Sequence, residues 1–154
     1  MATTTSIAEV MTQKLETIKS SASAQDAAKR MSDKRISSLV VTDETDIAIG
    51  IVTERDLVRR ICVHDASSKH TIVEQIMSSA LVTIDADSQI DVAADIMLQN
   101  NVRHLLVIQD NDTNKPVGII TPSDFVGYLK DNLDIDDVNA RIIESMKDVN
   151  KDHS

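Results

Sequence analysis

One type of stretch occurs twice in this chain and decides its fold: Gly50-Ile51-Val52-Thr53-Glu54-Arg55-Asp56 and Gly118-Ile119-Ile120-Thr121-Pro122-Ser123-Asp124. Each copy consists of a glycine, two aliphatic residues and then Thr-x-x-Asp. A short aliphatic run is typical of a buried strand, and Thr-x-x-Asp is typical of the first turn of a helix. The stretch therefore predicts a strand that leads directly into a helix, twice in one chain.

The duplication extends outward from these stretches over most of the chain. Upstream of them, matching residues recur 66 positions apart, such as Met11 with Met77 and Leu39 with Leu105. Each copy contains apolar residues at the i, i+3, i+4, i+7 spacing of a helix, then two short apolar runs of strand length and a second apolar helical face. The repeat therefore predicts an α+β fold with the order β-α-β-β-α in residues 7–64 and again in residues 71–130.

The length of each repeat and the spacing of apolar residues after the second one lead to two further predictions. A repeat of roughly 60 residues would be marginally stable alone, so the two copies are predicted to share one core. Residues 131–154 fall outside the repeat, and their apolar residues recur at steps of three and four: Ile135, Val138, Ile142, Met146 and Val149. That spacing predicts an amphipathic C-terminal helix.

Composition excludes several classes of function. The 154 residues contain 16 Lys and Arg against 25 Asp and Glu, a net charge of −9, and 1% are aromatic. Non-specific binding to nucleic acid or to an anionic membrane needs a basic face, and single-stranded nucleic acid also needs aromatic platforms. A single cysteine, Cys62, excludes a disulfide framework, and the four histidines lack zinc-site spacing. With neither a signal peptide nor a membrane-spanning run, the chain is predicted to be cytoplasmic.

The Thr-x-x-Asp stretches have two interpretations. In the structural one, Thr53 and Thr121 are helix N-caps whose aspartates close capping boxes. Similar patterns begin at Ser6, Ser23, Thr71 and Ser88, which favours this interpretation. In the functional one, the preceding glycine allows close approach to the backbone, the threonine hydroxyl meets a phosphate and the carboxylate holds a ribose diol.

The sequence resembles the cystathionine-β-synthase (CBS) domain pair, or Bateman module. The resemblance covers about residues 7–130 and rests on the tandem copies, on the openings Val10-Met11-Thr12 and Ile76-Met77-Ser78, and on both Thr-x-x-Asp stretches. It implies two halves related by a pseudo-twofold axis, with clefts that bind AMP, ADP or ATP, with or without Mg, or S-adenosylmethionine and its relatives. It also implies a homodimer that regulates a partner protein and performs no chemistry.

The resemblance implies roles for individual residues. The expected nucleotide-binding residues are Thr17, Ile18, Thr53, Arg55, Asp56, Thr83, Ile84, Arg103, His104, Thr121 and Asp124. Each aspartate would hold a ribose, Thr53 and Thr121 would meet phosphates, and the two Thr-Ile pairs would line an adenine slot with backbone groups and aliphatic surface. Arg103 and His104 would complete the phosphate end of the Thr53/Asp56 cleft. Serines occupy the positions of Arg103 and His104 in the first copy, so the other cleft is expected to be the weaker anion site.

Three hypotheses remain open at this point. The leading one is a regulatory module that senses an adenine nucleotide. The second is a dimeric scaffold with empty clefts. The module itself is expected to form a symmetric dimer, whose apolar seam consists of Leu57, Val58 and Ile61 with the equivalent Phe125, Val126 and Leu129, extended by the tail face from Ile135 to Val149. The third, an enzyme with Asp56 or Asp124 as general base, is the weakest, because no nucleophile–base pair, metal set or oxyanion donors accompany those carboxylates.

Overall fold

The computed structural model describes residues 5–132 and 135–151 and confirms the α+β architecture of two repeats. The strands are β1 Thr17–Lys19, β2 Ser38–Thr42, β3 Ala48–Thr53, β4 Thr83–Asp85, β5 Leu105–Ile108 and β6 Gly118–Ile120. The helices are α1 Ile7–Val10, α2 Ala24–Lys34, α3 Glu54–Asp56, α4 Ile90–Asn100, α5 Pro122–Asn132 and α6 Ile135–Lys151. The chain divides into two compact units, Met1–Thr121 and Pro122–Ser154.

Each repeat forms its own three-stranded sheet. The orders are β1-β2-β3 and β4-β5-β6, and in each sheet the first pair is parallel and the second antiparallel. A parallel pair needs a long crossover, which α2 and α4 supply, whereas an antiparallel pair can be joined by a turn. The central strands β2 and β5 are almost wholly buried, as their apolar runs predict.

The long helices α2 and α4 each begin after a residue with extended backbone, and each ends at a residue with left-handed backbone. The backbone of Arg35 ends α2 at φ 55°, and that of Asn101 ends α4 at φ 51°. These left-handed residues turn the chain toward the central strand of each sheet. The equivalent ends of the two helices are further evidence of the internal repeat.

Of the four further helix starts predicted at Ser6, Ser23, Thr71 and Ser88, the structure confirms the first two and contradicts the last two. The N–H of Ser6 donates to Oε2 of Glu9 at 2.9 Å, and Oγ of Ser23 accepts from Asp26 N at 3.0 Å. Thr71 and Ser88, in contrast, are not N-caps, because the following helical turns begin one residue later. Their carbonyls instead accept backbone hydrogen bonds from the other repeat, which keeps the chain extended there.

The helix that closes the first repeat changes character after Asp56. Residues Leu57–Cys62 form a π-helix, and the i→i+5 bonds include Val63 N to Val58 O at 3.0 Å. Ile61 lies in the core, with Leu57 and Ala66 packed against the same cluster. Their spacings of four and five residues suit a π-helix, which brings such positions to one face. Ile61 therefore cannot belong to the exposed seam expected from the sequence.

Two equivalent segments cross from each repeat to the other, and we call them straps: residues 5–12 and residues 71–78. In the first strap, Ile7 N donates to Ser88 O at 2.8 Å, and Thr12 bridges to Ile119 of β6. In the second, Val73 N donates to Ala22 O at 2.8 Å, and Ser78 bridges to Ile51 of β3. This reciprocal exchange is what a twofold relation between the repeats produces.

The second strap completes the hydrophobic core of the first repeat, and a residue of the first strap is equally buried. Ile7 and Val73 are both 0% exposed. The core of the first repeat consists of Ile18, Ala24, Ala27, Met31, Leu39, Val41, Val52 and Ile61, together with Val73 and Ile76 from the second strap. A separate cluster of Val40, Ala48 and Leu106 joins the two sheets. The repeats therefore share buried residues, as predicted, but these form separate clusters rather than one continuous core.

Two of the three glycines stand where a strap passes over a strand. A Cβ on Gly50 would lie 2.9 Å from the carbonyl oxygen of Ser78 and would overlap Sδ of Met77. A Cβ on Gly118 would lie 3.0 Å from the carbonyl oxygen of Thr12 and would overlap Met11 in the same way. The glycines do permit a close approach, and the segment that approaches is the chain's own strap.

The second unit consists of helices α5 and α6. Val126 and Leu129 of α5 are exposed, as are Ile142 and Met146 of α6. The helix predicted for the tail is confirmed. The side chains of Ile135, Val138 and Val149 on its predicted apolar face lie outside the described side chains.

Candidate functional site

The start of α3 is built as the capping box that the sequence predicts. Oδ2 of Asp56 accepts from the backbone N of Thr53 at 2.9 Å and from its hydroxyl at 3.1 Å. The Thr53 hydroxyl oxygen in turn accepts from Asp56 N at 3.3 Å. Both side chains are half-buried. Carboxylate and hydroxyl are thus held in fixed positions where β3 ends.

The segment before β2 runs beside this helix start. Ser38 pairs with Thr53 in the β2–β3 register, and Ser37 O accepts from Glu54 N at 3.0 Å. The exposed hydroxyl of Ser37 therefore lies beside the first residues of α3. From the sequence, Ser37 is expected only to lack the charge of Arg103, and its place as a hydrogen-bonding group is a finding of the structure.

A side chain of the second repeat reaches the same place. Nε2 of His104 lies 3.4 Å from Oγ of Ser37. Because Ser37 and Arg103 are equivalent positions in the two copies, the equivalent segments meet here. We call the group Thr53, Asp56, Ser37, Arg103 and His104 the Thr53–Asp56 site.

The electrostatics of His104 involve groups of both repeats. Burial lowers the pKa of His104 below its usual 6.5, and the neighbouring Arg103 lowers it further. The carboxylate of Asp56 acts in the opposite direction and raises the pKa. Asp56 of the first repeat is thus close enough to interact with an imidazole of the second. The residues that the structure links across the two repeats here are Ser37 and Asp56 of the first and His104 of the second.

Two arginines at the site point their charge to solvent. Arg103 precedes His104, Arg55 lies between Thr53 and Asp56 in the chain, and both side chains are exposed. An exposed guanidinium can reorient without loss of structural contacts. These arginines are therefore suited to meet an anion that arrives from solution.

The residues expected at the adenine slot are less clustered. Thr17 and Thr53 lie on opposite sides of β2, with partners two residues apart, so their Cα atoms are about 12 Å apart by strand geometry. The side chains of Ile18 and Ile84 are 3% and 4% exposed. They pack in the protein interior, so only their backbone groups could line a slot, and the expected aliphatic surface is wrong for these two residues.

Thr17 borders a groove between β1 and α2 that the sequence did not indicate. The groove has a volume of about 510 Å³ and is lined by Thr17, Ile18, Lys19, Ala22, Asp26, Lys29, Arg30, Asp33 and Thr42. Arg30 donates to the carbonyl of Thr17, and Lys19 is paired with Asp46. Two of its cations are therefore already used within the fold.

The residues of the second predicted cleft, Thr83, Thr121 and Asp124, belong to different elements of the structure. Thr83 is half-buried in β4, opposite Leu106 of β5. Thr121 is the last residue of the first unit, and Asp124 lies in the first turn of α5 in the second unit.

One hydroxyl–imidazole pair of the structure lies away from the carboxylates considered as general bases in the sequence analysis. Oγ of Ser67 lies 2.8 Å from Nδ1 of His70, so a hydroxyl–imidazole pair does exist, in the loop between the repeats. The same oxygen accepts from His70 N at 3.3 Å, and both residues are exposed. These bonds close a local turn, which accounts for the pair without a catalytic role.

Residues 5–132 and 135–151 contain neither a cluster of metal-binding side chains nor a membrane-spanning helix. No group of three or more His, Cys, Asp or Glu side chains in these ranges could hold a metal ion. None of the helices in the same ranges has the length and apolar character needed to cross a bilayer.

Several known proteins are similar to this chain in sequence and in fold. An uncharacterised 17.7 kDa protein of Acidianus ambivalens is 34% identical over 127 residues, which span 82% of this chain and 74% of that protein. An uncharacterised conserved protein of Pyrococcus horikoshii has a similar crystal structure, with a TM-score of 0.78, 29% identity and coverage of 87% and 98% of the two chains. A hexameric CBS-CP12 protein from bloom-forming cyanobacteria follows with a TM-score of 0.74, 27% identity and coverage of 97% and 83%.

Several further relatives are longer than this chain, which spans between 16% and 61% of their lengths. The family model for the CBS domain matches residues 7–63 and residues 73–131. These ranges correspond to the two repeats, each with its sheet and helices. The chain belongs to the CBS domain family and contains a pair of CBS domains.

Proposed function

We propose that this protein is a regulatory module that binds an adenine nucleotide, AMP, ADP or ATP, with or without Mg, and conveys its occupation to a partner protein. The observation that carries the proposal is the Thr53–Asp56 site. There a carboxylate and a hydroxyl at the end of β3 share one region with an imidazole of the other repeat, and the exposed Arg103 precedes that imidazole in the chain. A ligand at this site would contact both repeats at once.

The chemistry of the site suits a phosphorylated nucleoside. A carboxylate accepts the hydrogens of a ribose diol, and the guanidinium and hydroxyls donate to phosphate oxygens. The chain has a net charge of −9, so an anion needs such local donors to bind at all. With 1% aromatic residues, a purine would be held by backbone groups rather than by stacking.

A regulatory role is favoured over a catalytic one. A CBS pair is typically a regulatory module, and longer proteins contain it as one part: this chain spans 24% of a homoserine O-acetyltransferase of Methanococcoides burtonii. In that protein most of the length lies outside the matched region. We therefore propose that the present chain has no enzymatic activity of its own and acts in the cytoplasm.

The ribose contact is tested by replacing Asp56. We expect Asp56→Ala to weaken nucleotide binding by about 1–3 kcal/mol, because charge-assisted hydrogen bonds to the ligand are lost. Isothermal titration calorimetry of AMP, ADP, ATP and S-adenosylmethionine measures the effect. Asp56→Asn keeps an oxygen acceptor for the Thr53 cap and separates loss of charge from loss of the cap.

The matched control is Asp26→Ala, which removes a carboxylate from the equivalent position of another helix start, at α2. We expect this variant to bind like the unmodified chain. If no adenosine compound produces heat with the unmodified chain, the sensor proposal is wrong.

A second function, a scaffold with empty clefts, is favoured by one observation. The capping box already satisfies Thr53 N and the Thr53 hydroxyl without any ligand. Thermal unfolding with a nucleotide panel distinguishes the two functions, because a ligand that binds only the folded state raises the melting temperature.

Assembly is the other property of the proposed module, and we expect a symmetric homodimer. Val58 of the π-helix and Val63 directly after it are 55% and 69% exposed, and the same patch on a second copy could cover them. Multi-angle light scattering of the full chain should give twice the mass of one chain at tens of micromolar.

The chain truncated after Lys130 tests the role of α6: a truncated dimer that melts at a lower temperature shows that α6 only adds to the interface. A full-length monomer at this concentration contradicts the expectation.

A further inference from the structure

We propose that binding of a phosphorylated nucleotide at the Thr53–Asp56 site is coupled to the uptake of a proton by His104, so that the affinity of the site rises as the pH falls. This inference rests on the proposed function and adds the regulation of that same site.

The position of His104 is the first step of the argument. The residue lies on the second repeat, yet its Nε2 atom is 3.4 Å from Oγ of Ser37. The carbonyl of Ser37 accepts from Glu54 N at 3.0 Å, so the residue beside the imidazole is itself bonded to the start of α3, where Thr53 and Asp56 are held. A phosphate beside Thr53 would therefore lie close to this ring.

The charged groups around the ring are of both signs. From α3, Asp56 favours the protonated ring, and the same helix carries Glu54 and Arg55, whose side chains are exposed. From the ring's own segment, Arg103 opposes protonation. The segment before β2 contributes the neutral Ser37 and, at the end of α2, the exposed Arg35.

The protonation state without ligand follows from burial. Burial is the largest influence on the His104 pKa and lowers it below the usual 6.5. The ring is therefore mostly neutral at pH 7.5, with one nitrogen that donates and one that accepts. In that state it is a poor partner for an oxyanion.

A bound phosphate changes this balance. Negative charge near the ring stabilises the imidazolium, so the pKa of His104 rises on binding. Between the free and the bound pKa, the complex holds more protons than the free protein. By linkage the affinity rises as the pH falls through this window, by about tenfold per pH unit at most because one proton is involved.

The same ring has the opposite effect on the stability of the ligand-free protein. The unfolded chain binds a proton at the ordinary pKa of 6.5, whereas the folded state binds it only at lower pH. Stability is therefore lost as the pH falls below about 6.5. A ligand that recruits the proton should offset this loss, so ADP should protect the fold more at pH 6 than at pH 7.5.

The experiment is calorimetry of the full chain with ADP and with adenosine at pH 7.5 and pH 6.0, in pairs of buffers that differ in ionisation enthalpy. The terminal phosphate of ADP titrates near pH 6 as well, so comparison between variants is what isolates His104. The variant His104→Gln retains a hydrogen-bonding amide but does not titrate. The control His64→Gln removes an exposed histidine from the loop between the repeats.

We expect ADP affinity to rise threefold to tenfold more between pH 7.5 and pH 6.0 in the unmodified chain and in His64→Gln than in His104→Gln. Adenosine, which has no phosphate, should show no such difference. If all three chains bind ADP with the same pH dependence and the same proton uptake, proton coupling at His104 is wrong and the nucleotide site stands. If none of them binds ADP at either pH, the proposed function fails, and this inference with it.

Discussion

Ile7→Ala is expected to lower the free energy of unfolding by about 2–5 kcal/mol, the usual cost of emptying a large buried aliphatic site. The side chain is 0% exposed although it lies near the start of the chain. It is held in place by the first strap, whose backbone is hydrogen-bonded to the second repeat. The loss should therefore appear far from Ile7 in sequence. Urea denaturation followed by circular dichroism measures its size.

Native-state hydrogen exchange measures where the loss falls. In Ile7→Ala, the amides of β4, β5 and β6 should lose protection before those of the first sheet. The reciprocal variant, Val73→Ala, should show the reverse order. The control is Leu98→Ala, whose side chain is 81% exposed, and its effect should be within about 0.5 kcal/mol. An Ile7→Ala variant as stable as Leu98→Ala would show that the first strap does not pack as described.

Gly50→Ala and Gly118→Ala are each expected to destabilise the fold by about 1–3 kcal/mol, the usual cost of overpacking. The methionine side chain above each glycine can move aside. The strap carbonyl oxygens, 2.9 Å and 3.0 Å from the added carbon, belong to backbone that is paired with the strand itself. Thermal unfolding of the two variants should show melting temperatures several degrees lower.

The third glycine provides the matched control. Gly127 lies inside α5, and a Cβ there would have no heavy atom within 4 Å. Alanine is the better helix former by about 1 kcal/mol, so Gly127→Ala should raise the melting temperature. A Gly50→Ala variant that unfolds at the same temperature as the unmodified chain would contradict the close crossing of strap and strand.

Local sequence patterns predict most of the fold. The i, i+3, i+4, i+7 spacing predicts α2 and α4, because each helix buries one apolar face against its own sheet. The short apolar runs predict β2 and β5, which lie at the centre of each sheet. Because the same signals occur in both copies, each copy supports the interpretation of the other.

The straps could not be predicted in the same way. The sequence identifies Met11 and Met77 as part of the repeat and predicts that Gly50 is a position of close approach. No local signal, however, connects a methionine of one copy to a glycine of the other. The same exchange explains the two wrong helix starts, since Thr71 and Ser88 use their carbonyls across the repeats. The π-helix at Leu57–Cys62 is likewise not signalled by the local pattern, which predicts an ordinary apolar helical face.

The candidate site shows the same division. The spacing of Thr53 and Asp56 alone predicts their mutual hydrogen bonds. The approach of His104 was expected only through the resemblance to CBS pairs, because it depends on how one repeat faces the other. The burial of Ile18 was not foreseen, since a Thr-Ile pair at the start of a short strand does not reveal which way the isoleucine points.

The exchanged straps also set the order in which the chain can fold while it is being synthesised. Residues 5–12 leave the ribosome well before their partners, which lie in the turn from β4 into α4 and in β6. The first CBS domain likewise lacks Val73 and Ile76 until the second strap has emerged. The usual sequence, in which an N-terminal domain folds before the next one is made, is therefore not open to this protein. Its two domains should become stable together, only after β6 has cleared the exit tunnel.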